Sequence, residues 1–133
     1  MIKELAHVCF TVKDLDASLA FYTGTLGCAK AFDFIKDTGE RYGAYVKIGH
    51  RSFIELFRAR EITPSDSVSY RHLCLEVDDL PATVTDLRAK GVPVTDPKLG
   101  LDNSWQAWLA DPDGNKIELH QYTATSWQAP HLR

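Results

Sequence analysis

Apolar and polar side chains alternate in eight stretches of the chain, and two further stretches carry helical spacing. Period-2 alternation predicts strands, each with one apolar face and one polar face. In residues 5–12, Val8, Phe10 and Val12 share one face and His7, Cys9 and Thr11 the other. The spacing predicts further strands over 28–35, 42–48 and 52–57, then over 71–77, 92–95, 104–110 and 116–122. In 52–57, Ile54 and Leu56 lie opposite Phe53, Glu55 and Phe57. In 71–77, Leu73, Leu75 and Val77 lie opposite His72, Cys74 and Glu76. In 116–122, Ile117 and Leu119 lie opposite Lys116, Glu118 and His120. A first helix starts at a cap, Asp14 or Asp16, carries Leu19 to Tyr22 and ends near Gly24 or Gly27. A second opens at Asp79 with Pro81 in its first turn and stops at Gly91. Asp96–Asn103 reads as a loop, and Asp111-Pro112-Asp113-Gly114-Asn115 as a tight turn launching the last strand. Residues 59–69, with Pro64, read as a linker, and the tail from Thr123 as irregular.

The two halves repeat. His7-Val-Cys-Phe-Thr-Val-Lys-Asp-Leu-Asp-Ala aligns with His72-Leu-Cys-Leu-Glu-Val-Asp-Asp-Leu-Pro-Ala at an offset of 72 − 7 = 65. Phe53-Ile-Glu-Leu-Phe aligns with Lys116-Ile-Glu-Leu-His at an offset of 118 − 55 = 63. Two elements matching in one order at nearly one spacing indicate a duplicated unit. The fold class predicted is α+β: two βαβββ modules, about residues 3–60 and 69–122, within a single domain spanning 1–133. The helices cover one face of mixed sheets, and the other face curves into an open trough.

Composition adds little that is specific. A 44% hydrophobic and 25% charged chain is that of an ordinary globular protein. The net charge of −3 gives no reason to expect nucleic acid or an anionic membrane as partner. No apolar run is long enough to span a bilayer, and Met1-Ile2-Lys3-Glu4 lacks the basic start of a signal peptide, so a cytoplasmic protein is expected. Cys9, Cys28 and Cys74 are odd in number and lack CxxC spacing, which excludes a disulfide framework as the reading. Cys9 and Cys74 read as small buried fillers.

The candidate chemistry lies on the polar strand faces. His7, Glu55, His72 and Glu118 occupy matching places in the two repeats, opposite the helix-packing face. A lone strand histidine or glutamate is ordinarily a satisfied core residue or a solvated one. Two matched pairs call for another account. Imidazole nitrogen and carboxylate oxygen suit a divalent ion, and thiolate is absent from the set. Four ligands on an ion able to take six leave places for substrate. Phe53, Phe57, Trp105, Trp108 and Arg71 are candidate substrate-pocket residues.

Through His7-Val-Cys-Phe-Thr-Val-Lys-Asp-Leu, Phe21-Tyr-Thr-Gly-Thr-Leu-Gly27 and Asp111-Pro-Asp-Gly-Asn-Lys-Ile-Glu118-Leu, the chain resembles the vicinal oxygen chelate superfamily over residues 3–122. That resemblance implies paired βαβββ modules and an enzyme holding one divalent metal, nickel, zinc, cobalt or manganese, with iron disfavoured. Two His with two Glu is the glyoxalase I-like set, which implies a lyase or isomerase working by proton transfer, with Glu118 as base and Glu55 as its symmetric counterpart. The substrate implied is a small α-hydroxy carbonyl or hemithioacetal. The alternatives are an epimerase or isomerase of a keto-acid or sugar-like substrate, an extradiol-type dioxygenase and a non-enzymatic ligand-binding protein. Bacterial glyoxalase I carries an Arg four residues after its first ligand and an Asn four after its second, both used on glutathione. Those positions here are Thr11 and Ala59. The resemblance also implies a homodimer with an active site shared between chains.

Overall fold

The computed structural model describes residues 5–63 and 67–132; Pro64 of the expected linker and Arg133 of the tail lie outside them. The chain divides into two compact units, Met1–Thr63 and Pro64–Arg133. Each unit has one four-stranded mixed sheet and one main helix.

The first unit runs β1 (His7–Val12), α1 (Leu15–Leu19, prolonged by a π-helical Ala20–Thr25), β2 (Ala29–Ile35), β3 (Arg41–Lys47) and β4 (Phe53–Arg58). Its sheet order is β1-β4-β3-β2, with β1 parallel to β4 and the other pairs antiparallel. The second unit runs β5 (Leu73–Glu76), α2 (Leu80–Ala89), β6 (Lys98–Leu99), β7 (Trp105–Ala110) and β8 (Lys116–Gln121). Its order, β5-β8-β7-β6, repeats the first, with β5 parallel to β8. The expected α+β class and the paired βαβββ modules are therefore observed.

Both helices start alike. Asp14 Oδ1 accepts from Ala17 N–H at 3.0 Å, and Asp79 Oδ1 accepts from Ala82 N–H at 2.9 Å, each satisfying a donor that the first turn leaves open. The helices cover the apolar strand faces. Phe10, Val12, Leu19, Tyr22, Val46, Ile54 and Leu56 are buried in the first unit; Leu80, Val84, Leu87, Ala107, Ile117 and Leu119 in the second.

Two elements differ from expectation. Residues 92–95 form no strand, because Pro93 has no N–H to give to a ladder. Thr95 alone reaches β7: its N–H donates to the Trp108 carbonyl at 3.0 Å and its Oγ1 accepts from Trp108 N–H at 2.9 Å. The edge strand instead comes later, as β6, inside the expected loop. The first helix widens into π geometry, with Leu26 N–H donating to the Phe21 carbonyl at 2.9 Å, and Gly27 rather than Gly24 takes positive φ, at 72°.

The tail is packed. Trp127 N–H donates to the Asp102 carbonyl at 3.0 Å, and Ser126 is buried beside Ser104, their hydroxyls 2.8 Å apart.

Candidate metal centre

Parallel pairing places a histidine strand beside a glutamate strand in each unit. Cys9 faces Glu55 across β1 and β4, and Cys74 faces Glu118 across β5 and β8. Each histidine, two residues earlier, projects on the same face. His7 Nε2 stands 3.6 Å from Glu55 Oε2, and His72 Nε2 stands 3.1 Å from Glu118 Oε2. The structure therefore brings the four expected ligands together as two pairs, one within each unit. Tyr45 Oη lies 3.0 Å from His7 Nδ1, which leaves Nε2 to face the carboxylate. Metal-binding histidines commonly have the other ring nitrogen engaged in this way.

These pairs fit a divalent ion. Two donors each about 2.1 Å from one ion stand about 3.0 Å apart in octahedral and about 3.4 Å apart in tetrahedral coordination. The observed separations of 3.1 and 3.6 Å need only small adjustment. His72, rather than His7, already has the closer carboxylate.

Cys9 and Cys74 are exposed rather than the buried fillers expected, because they stand beside Glu55 and Glu118 on the strand face that the helices leave open. Partial burial first, then a hydrogen bond to Glu55, pushes the Cys9 thiol up. Partial burial first, then the Glu118 charge, pushes Cys74 up to about 12. Each thiol therefore stays protonated at neutral pH and serves as a donor to its carboxylate. Ligand atoms of Cys74, Glu118 and His120 lie within 4.8 Å of one another.

The surroundings of the two pairs diverge. In the first unit, Phe32, Tyr45 and Phe53 stack in succession, with ring centroids 4.8 and 4.9 Å apart, and Phe34 packs 4.9 Å from Phe57. Gly43 makes room for this group: a Cβ there would meet the Phe57 ring at 2.5 Å and the Leu56 carbonyl oxygen at 2.8 Å. In the second unit, Arg71, His72 and Trp108 help line an open cavity of about 450 Å³. The Trp108 ring meets His72 edge-on at 4.9 Å. Of the expected pocket residues, Phe53 and Phe57 lie on the face of Glu55, and Trp108 on that of Glu118. Trp105 does not join them. It alternates with Trp108 along β7 and shares its side with buried Ala107 and Leu109.

Pattern reading placed His120 on the face of Glu118 without a task, and left out Asp102 and Gln128. His120 Nδ1 lies 3.1 Å from Glu118 Oε1, and His120 Nε2 lies 3.8 Å from Asp102 Oδ2. Gln128 Nε2 donates to Asp102 Oδ2 at 2.6 Å. That amide is the main cause holding the Asp102 carboxyl below its ordinary value. Alternation does put His120 on the face of Glu118. Asp102 and Gln128 stand in a loop and a tail, where no period exists to expose them.

Residues 4–119 match the model of the Glyoxalase/Bleomycin resistance protein/Dioxygenase superfamily. The chain belongs to this superfamily. Relatives within it bear different names. The chain is 31% identical to the metallothiol transferase FosB of Staphylococcus epidermidis, covering 92% of this chain and 84% of that one. It is also 31% identical to a probable lactoylglutathione lyase of Synechocystis, covering 88% and 94%. Among solved structures of the superfamily fold, TnmS3, an antibiotic binding protein from Streptomyces sp. CB03234, superposes with a TM-score of 0.76 at 30% identity, covering 92% of this chain and 98% of that one.

Proposed function

We propose that the chain is a divalent-metal-dependent lyase or isomerase of glyoxalase I-like type, acting by proton transfer on a small α-hydroxy carbonyl or hemithioacetal. The observation that carries this reading is the His–Glu pair repeated in the same register in both units, with nitrogen and oxygen 3.6 and 3.1 Å apart. His7, Glu55, His72 and Glu118 act as one ligand set, within one chain or across a homodimer, in a cytoplasmic protein. A bound divalent ion supplies Lewis-acid polarisation of the substrate carbonyl.

The chain's own residues do the rest. Glu118 takes the α-proton and returns it to the neighbouring carbon, so the net change is an isomerisation without redox. Glu55 is its symmetric counterpart. Tyr45 holds the His7 ring, and the stacked rings beside Glu55 keep water from that side of the substrate. Thr11 and Ala59 supply neither guanidinium nor carboxamide, which favours a substrate without a glutathione moiety.

The test is metal content by elemental analysis of protein purified without chelator, followed by solvent deuterium exchange into α-hydroxy carbonyls and hemithioacetals. About one divalent ion per chain and an exchange rate about 10²–10⁴-fold lower in Glu118→Gln are expected. A wild type that takes up no metal after reconstitution would sink the reading.

A second reading, binding of a ring-bearing compound without turnover, is favoured by the aromatic group of the first unit and by the similarity to TnmS3. Undiminished binding of such a compound by metal-free protein would select it.

A further inference from the structure

Glu118 has a partner on each of its two oxygens. Oε2 faces His72, and Oε1 faces His120. His120 is only 8% exposed, and its Nε2 is buried without a hydrogen-bond partner among the described residues. A buried imidazole nitrogen in that condition is costly enough to need a reason. Its nearest charge is Asp102, 3.8 Å away and beyond hydrogen-bond reach. Asp102 is itself fixed from several sides. Its Oδ2 accepts from Gln128, its Oδ1 accepts from Ser104 N–H at 3.2 Å, and its carbonyl accepts from Trp127 N–H at 3.0 Å. The Tyr122 ring meets His120 at 4.8 Å and closes its side.

We infer that His120 is a positioning residue: backed by Asp102 and the C-terminal tail, it binds Oε1 of Glu118 so that Oε2 alone is presented beside His72. The inference rests on Glu118 being a metal ligand and goes beyond it by assigning the tail a task at the site. His120 Nδ1–H donates to Glu118 Oε1, which stops the carboxylate rotating and makes it a one-oxygen ligand. The matching residue of the first unit is Phe57, which has no donor, so Glu55 lacks this hold.

The experiment compares full-length wild type with His120→Phe, His120→Asn and His72→Ala, titrated with Co²⁺ against a competing chelator and followed by visible absorption. His120→Phe keeps a ring against Tyr122 and copies the first unit. Its Co²⁺ affinity is expected to fall about 10–100-fold, with an altered ligand-field band. His120→Asn, whose amide can donate to Glu118, recovers most of both, while His72→Ala loses more. Wild-type affinity and spectrum in His120→Phe would overturn the inference. So would a loss in both His120 variants as complete as in His72→Ala, because His120 would then be a ligand.

A second measurement stands without metal. Ring ¹⁵N spectra of metal-free wild type are expected to show a slowly exchanging Nδ1–H on His120 that moves in Glu118→Gln and in Gln128→Ala. If wild type binds no Co²⁺, the metal-centre reading fails, and these spectra alone decide: a fast-exchanging or unmoved signal overturns the positioning role.

Discussion

The two units share a frame and differ in what they build upon it. Strand order, parallel closure, the aspartate cap and the His–Glu pair are the same in both. Around Glu55 the open sheet face is aromatic, with Phe32, Phe34, Tyr45, Phe53 and Phe57 in mutual contact. Around Glu118 it is polar, with His120, Asp102 and Gln128 linked through buried or short contacts. The residues that set backbone geometry and the His–Glu pairs are alike in the two units, while their neighbours differ. One side presents an aromatic surface, and the other presents hydrogen-bond partners to a carboxylate.

This comparison breaks first at the cores. Ile54 and Ile117 occupy the same place in the repeat, and both are fully buried. Truncating either to alanine is expected to cost about 2–5 kcal/mol, read from urea unfolding. A silent Ile54→Ala or Ile117→Ala would end the claim of equivalent frames.

The turns before β4 and β8 sharpen the contrast. Asp111 is buried, and its carboxylate accepts from Asp113 N–H at 3.0 Å, Asn115 N–H at 2.9 Å and Asn115 Nδ2 at 2.9 Å. Gly114, at φ 81°, closes that turn. Both turns close by the same backbone bond, Ile48 N–H donating to the Ser52 carbonyl at 2.9 Å and Asp111 N–H to the Asn115 carbonyl at 3.0 Å, and only the second adds a carboxylate. Asp111→Ala should therefore cost about 1–3 kcal/mol by leaving donors unmet. Exposed His50→Ala should stay within about 0.5 kcal/mol. Equal losses in the same denaturation assay would remove the distinction.

The caps contribute less than the core or the Asp111 turn. Asp14→Ala and Asp79→Ala should each cost about 1 kcal/mol in thermal unfolding, and by similar amounts, because each side chain meets one N–H of the first turn.

The frame was legible because its signals are periodic or duplicated. Alternation separated Ile54 from Glu55 and Ile117 from Glu118, and the repeat selected His7 and His72 from five histidines. The carboxylate partners of the second unit were not legible in the same way. Asp102 and Gln128 reach Glu118 only through His120, from segments without regular spacing. The β6 strand was displaced because Val92 and Val94 satisfy a period that Pro93 forbids in hydrogen bonding. Trp105 and Trp108 looked alike as pocket aromatics until the register put them on opposite sides of β7.

The parallel closure of each unit bears on how the protein is made. His7 and Glu55 are 55 − 7 = 48 residues apart in the chain, and His72 and Glu118 are 118 − 72 = 46 apart, yet their strands are immediate neighbours. Joining such distant segments carries a loop-closure entropy that local pairs such as β3 with β4 avoid. Each His–Glu pair therefore closes at a higher entropic cost than the hairpins of its unit. On the ribosome, the Glu118 carboxylate can meet His72 only after β8 has emerged.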